Sequence, residues 1–104
     1  MRSHVRFEDE ADAEYRHAGR WYEARRVGLG LEFFDAVDAA VSQIVDLPRA
    51  GELVPRMPAE LPVRRLAVTR FPYHVFYLET SPELRILAVA HDRRKPGYWK
   101  TRLK

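Results

Sequence analysis

Residues 84–102 read LRILAVAHDRRKPGYWKTR, and this stretch decides how the rest of the chain is arranged. Residues 84–90 form an apolar run of strand length, suited to burial on both faces. The run delivers His91, Asp92, Arg93, Arg94 and Lys95 to one rim, and Pro96-Gly97 then turns the chain into Tyr98 and Trp99. A core strand that ends abruptly in a basic, aromatic cluster marks the point where scaffold gives way to site.

Upstream of it, residues 63–69 alternate, with Leu66 and Val68 on one face and Arg65, Ala67 and Thr69 on the other. Residues 73–78 are apolar on both faces. The links Arg70-Phe71-Pro72 and 79–83 are of hairpin length, so the three strands are expected to form an antiparallel meander. Further back, residues 48–62 contain four prolines and Gly51, an irregular connection. Before it, Phe34, Val37, Val41 and Ile44 line one face of a helix starting near Leu31, widened by Phe33, Ala40 and Leu47 and stopped by Pro48.

Gly28 and Gly30 separate that helix from an earlier one, which begins at Glu8-Asp9-Glu10-Ala11 and runs to about Arg26. Ala11, Tyr15, Ala18 and Tyr22 share its inner face, while Arg16, Arg20, Glu23 and Arg26 face water. Trp21 and Tyr22 are expected to pack the helical hairpin. Val5 and Phe7 alternate with His4 and Arg6 in a short first strand. The order is β-α-α-β-β-β: an α+β fold with an antiparallel sheet core and an α-helical hairpin packed on one face.

Two helices cover one sheet face. The last strands are nonetheless apolar on both, with Phe76, Leu78, Leu87 and Val89 on one and Tyr73, Val75, Tyr77, Ile86 and Ala88 on the other. The second face is covered either by a partner or by the 48–62 connection and the C-terminal tail.

At 104 residues, 46% hydrophobic and 32% charged, the chain is expected to form a single domain over residues 1–104. It has no cysteine, which excludes disulfides, thiol catalysis and thiolate metal sites. No signal-like or membrane-spanning run is present, so a cytoplasmic location without membrane contact is expected. The net charge is +3, with acids concentrated in the first half and Arg64, Arg65, Arg70, Arg93, Arg94, Lys95, Lys100, Arg102 and Lys104 in the second. That asymmetry favours an anionic partner.

Arg64, Arg65, Arg70, Arg93 and Arg94 are placed to converge, and Tyr98 and Trp99 add stacking surfaces. The cluster reads as a single-stranded nucleic-acid surface, a dock for an acidic protein, or a solvated face. His74 and His91 are the candidate acid–base groups near neutral pH, although a histidine closing a core strand is more often structural. Glu8, Asp9, Glu10 and Asp12 are explained by the helix dipole, and no metal or cofactor motif is present.

The chain resembles the RelE/ParE superfamily of bacterial type II toxins, the ParE branch more than the RelE branch. The resemblance rests on Trp21-Tyr22 and Leu31-Glu32-Phe33 in the helices, on Arg64-Arg65-Leu66 through Phe71-Pro72-Tyr73-His74-Val75-Phe76-Tyr77, and on Ile86 to His91 followed by Arg93-Arg94-Lys95-Pro96 and Tyr98-Trp99. It implies a cytoplasmic toxin neutralised by a cognate antitoxin protein in a hetero-oligomer. ParE-like members act on DNA gyrase, which implies a non-enzymatic inhibitor with a target-binding surface at His91, Arg93, Arg94, Tyr98 and Trp99. RelE-like members cleave mRNA on the ribosome. In that alternative Arg65, His74, His91 and Tyr98 are the catalytic candidates, but Ala67 and Asp92 stand where further basic groups are expected. A carboxylate beside a scissile phosphate would repel the developing charge. A third alternative is an inactive homologue that only binds its antitoxin.

Overall fold

The computed structural model describes residues 4–80 and 83–103. Strand β1 (His4–Phe7) leads into helix α1 (Asp9–Arg25), and a tight turn leads back into helix α2 (Leu29–Asp46). Strands β2 (Glu52–Leu53), β3 (Val63–Ala67), β4 (Tyr73–Thr80) and β5 (Glu83–His91) follow, and a 3-10 turn at Tyr98–Leu103 comes last. Residues 1–3, 81–82 and 104 lie outside the described residues.

Asp9, Glu10 and Asp12 occupy the first turn of α1, where the helix dipole favours acids. Glu23, expected only to face water, also secures the start of α2, where its carboxylate accepts the Gly28 and Gly30 N–H groups, each at 3.0 Å. Those donors would otherwise lack a helical partner. The two helices approach so closely here that a Cβ on Gly30 would lie 2.6 Å from the Gly19 carbonyl oxygen. Tyr15 ties them together farther along by donating to Asp38 Oδ1 at 2.9 Å.

The buried face of α2 carries Gly30, Phe33, Val37, Ala40 and Ile44. It is rotated from the expected stripe, so Phe34 and Val41 lie half-buried at its margin and Leu47 is 63% exposed. Full burial of a side chain such as Phe33 contributes about 1.5–3 kcal/mol, and Gly30 on the same face lets the two helices approach closely. Tyr22 packs against Phe33, Phe71 and Tyr73 as expected. Trp21 does not pack the hairpin: it is 47% exposed beneath the Arg25 guanidinium.

The five strands are ordered β1-β5-β4-β3-β2. The β3-β4-β5 meander is antiparallel, as its short links require. The sheet as a whole is mixed, because β1 runs parallel to β5, from His4 opposite Glu83 to Phe7 opposite Ile86. Alternation along a four-residue strand carries no information about the direction of its partner. The proline-rich connection also contributes β2, which pairs with Arg64 and Arg65 and is too short for any periodic signal.

A bulge in β5 reorganises the site end of the sheet. Phe76 faces Ala88 and Tyr77 faces Ile86, which leaves Leu87 as the extra residue. Leu87 and Ala88, consecutive in sequence, both pack on the side away from the helices. Beyond the bulge the alternation is inverted. Val89, expected beside Leu87, joins the helix-facing core instead.

That core is built from α1, α2 and the helix-facing residues Leu66, Val68, Val75, Tyr77, Leu84, Ile86 and Val89. The opposite face holds Val63, Leu78, Leu87, Ala88, Ala90 and Trp99. Val54, Met57 and Leu61 from the connection cover it, together with Tyr98 and Leu103 from the tail. The chain thus covers its second apolar face itself.

Candidate functional site

A cleft of about 400 Å³ opens on the face away from the helices, between β3, β4, the end of β5, the 54–56 segment and the Tyr98–Leu103 turn. Phe76 and Trp99 are packed ring on ring at its base, with centroids 5.1 Å apart, and Val54, Pro55, Ala90 and Pro96 extend the apolar lining. Arg56, Arg65, Arg94, Lys95 and Lys100 surround it. Asp92 is the single carboxylate residue among the described lining residues.

All four candidates for acid–base and phosphate chemistry, Arg65, His74, His91 and Tyr98, line this cleft, but not in equivalent ways. Arg65 Nε donates to Glu52 Oε1 at 2.7 Å, so β2 partly neutralises it. His74 Nδ1 lies 2.7 Å from Asp92 Oδ1. His91 stacks edge-on against Tyr73, at 5.1 Å, and its Nδ1 accepts the Arg93 N–H at 3.0 Å. Unbroken alternation along β5 would place His91 on the cleft face beside His74. The bulge at Leu87 turns it toward the helix side and brings Asp92 into that place.

Of the residues expected to bind a target, His91, Arg94, Tyr98 and Trp99 line the cleft and Arg93 does not. Arg94 lies over the Tyr98 ring, with its guanidinium carbon 3.8 Å from the centroid, a contact that presents the cation already oriented. Trp99 is only 2% exposed and acts as floor. Nor do the five arginines converge. Arg64 Nη1 donates to the Gly51 carbonyl, and Arg70 reaches Glu32 at 3.6 Å, leaving Arg65 and Arg94 in the cleft.

The Tyr98 hydroxyl is tied down. It donates to Glu14 Oε2 at 2.6 Å, and Glu14 also accepts from Val89 N–H at 3.1 Å and from both Arg102 Nη atoms, at 3.0 and 3.1 Å. Arg102 in turn donates to the Leu87 carbonyl at 2.9 Å. These groups face the edge of β5 beyond the end of β1, so a side-chain pair supplies the hydrogen bonds that a neighbouring strand would otherwise make. Burial raises the Tyr98 phenol well above its ordinary range, and the Glu14 carboxylate raises it further. It is therefore a poor proton acceptor near neutral pH.

Sequence reasoning missed Glu14 and Arg102, which in the linear chain are ordinary charges near opposite ends. It also missed Arg56. This residue, in the lining of the cleft, holds φ 65°, a left-handed backbone that is uncommon outside glycine and asparagine. Among the described residues, no group of three His, Cys, Asp or Glu side chains could hold a metal ion.

Residues 5–96 match the family model for the ParE toxin of the type II toxin-antitoxin system parDE. This chain belongs to the ParE toxin family. A chain from the chromosomal ParDE toxin–antitoxin system of P. aeruginosa shares its fold, with a TM-score of 0.68 and 18% identity over 86% of this chain and 95% of that one. No curated protein matches. The family match ends before Tyr98, so the turn that walls this ParE-family cleft lies beyond it. No helix among the described residues of the toxin is long and apolar enough to cross a membrane.

Proposed function

We propose that this ParE-family toxin acts in the cytoplasm as a non-enzymatic inhibitor of DNA gyrase and is neutralised by a cognate antitoxin. Family membership carries the reading, and the chemistry of the cleft supports an inhibitor over a ribonuclease. Cleavage through the RNA 2′-hydroxyl needs a proton acceptor beside the attacking oxygen and cations around the phosphate. Here the Tyr98 hydroxyl is held by Glu14, His91 is turned toward Tyr73, and Asp92 brings a negative charge against His74. The remaining cationic rim, with Arg94 stacked and oriented, suits binding. An antitoxin segment that folds on contact would bury toxin surface without requiring a preformed apolar groove.

The test is pulse-labelling of DNA and protein synthesis in the minutes after tightly controlled induction of the chain alone, followed by supercoiling and cleavage assays on purified gyrase. DNA synthesis should stop first, and gyrase-dependent DNA breaks should accumulate. Arg94→Ala should reduce both effects more than Arg93→Ala. Protein synthesis stopping first would overturn the gyrase reading in favour of RNA cleavage. Normal labelling with soluble protein accumulating would mean an inactive homologue.

A further inference from the structure

We propose that the basic cleft seats one unpaired nucleotide, its base against the apolar floor and its phosphate among the rim cations. The proposal rests on the reading above in one respect, that this cleft is the working surface, and its test omits gyrase so that the two can fail separately.

Three observations carry it. The cleft volume, about 400 Å³, falls in the range of sites that enclose a small molecule, too small for a duplex and large enough for a single nucleotide. Its composition is divided, with an apolar base around Phe76 and Pro55 and cations at Arg56, Arg94, Lys95 and Lys100. A base has an apolar face and a phosphate an anionic end, so a nucleotide matches both parts. Asp92, the single lining carboxylate, is paired with His74 and is outnumbered by the lining cations Arg56, Arg65, Arg94, Lys95 and Lys100.

The third observation is backbone conformation. Arg56 adopts φ 65°, where glycine would fit with less strain, and Gly97, also in the lining, adopts φ 77°. A Cβ on Gly97 would stand 3.4 Å from Lys100 Nζ, so that ammonium folds across the turn. Arg70, outside the cleft, shares this conformation at φ 71°, so Arg56 counts here for the charge it adds to the lining. The same nucleotide chemistry arrives either as a free mononucleotide or as an unpaired nucleotide of a DNA strand.

The experiment is two-dimensional amide and indole NMR of the full chain, titrated separately with thymidine 5′-monophosphate, a short oligothymidylate, thymidine and inorganic phosphate. The two tryptophans act as internal reporters: the Trp99 indole signal should move and that of exposed Trp21 should not. Saturation by the mononucleotide assigns a free nucleotide, and saturation by the oligomer alone assigns a strand. Arg94→Glu should weaken binding about tenfold or more, and the charge-matched change Arg20→Glu on α1 should have little effect. Arg56→Gly should weaken binding while keeping or raising the melting temperature, which separates lost charge from lost fold. Failure of both nucleotide ligands to move Trp99 would overturn the proposal. So would equal binding of inorganic phosphate, or equal loss in Arg94→Glu and Arg20→Glu. Gyrase poisoning without nucleotide binding would sink this inference alone, and binding without poisoning would sink the gyrase reading alone.

Discussion

Tyr98 donates to Glu14 across 2.6 Å, and this bond joins the C-terminal turn to the first helix and to the open edge of β5. The carboxylate side chain is 17% exposed and that of its partner Arg102 is 11% exposed, so the ion pair is largely shielded from solvent. Removing the acid leaves a buried guanidinium, the Val89 N–H and the Tyr98 hydroxyl without their acceptor.

Glu14→Ala is therefore expected to destabilise the protein by about 1.5–3 kcal/mol, the range for a hydrogen bond to a charged group. Equilibrium urea unfolding checks it. The double variant with Arg102→Met should recover part of the loss, because the stranded cation is removed as well.

Tyr98→Phe removes the hydroxyl but keeps the ring beneath Arg94. Stability should fall by about 1.5–3 kcal/mol, the range for losing a hydrogen bond to a charged group. Growth inhibition on induction should persist, whereas Tyr98→Ala should weaken it. Loss of toxicity in Tyr98→Phe together with lost RNA cleavage would restore the ribonuclease alternative.

The buried tyrosines predict alkaline unfolding. Burial, helped by neighbouring Tyr22, pushes the Tyr73 phenol up to about 12, and burial followed by Asp38 raises Tyr15 as well. A raised folded value means that the folded chain keeps its proton longer than the unfolded chain. The stability tied to Tyr73 is thus fully present below 10.0 and lost as pH rises toward about 12. The limiting slope is about 1.4 kcal/mol per pH unit for each such tyrosine. Melting temperature measured against pH, with phenolate absorbance followed in parallel, should show ionisation accompanying unfolding.

Gly30→Ala tests the helical hairpin. The added methyl group meets the Gly19 carbonyl and the Glu23 side chain, so one helix must shift. We expect a loss of about 1–3 kcal/mol, typical of overpacking, read as a lower urea midpoint with an unchanged slope.

Much of the fold was legible because its signals are local. The 4-3-4 spacing of Ala11, Tyr15, Ala18 and Tyr22 produced α1, Pro48 marked the end of α2, and short links required the β3-β4-β5 meander. The two-residue strand β2 had no such signal, and the parallel pairing of β1 with β5 is a choice between distant segments. At the site, Arg65 and His74 could be located because they lie on sheet strands, and Arg94 and Tyr98 because they follow the last one. Glu14 could not, because its partners lie 75 to 88 positions away in sequence.

The sequence by itself determined the element order, the helical hairpin, the antiparallel meander and the basic, aromatic ending after His91, since each follows from periodicity, turn chemistry or composition within a few residues. Only the tertiary structure decided which side chains enter the cleft. One extra residue at Leu87 inverts the alternation of β5, turning His91 toward Tyr73 and bringing Asp92 to His74. The physical reason is that a bulge is defined by pairing with another strand, here β4, and not by the residues of β5 alone.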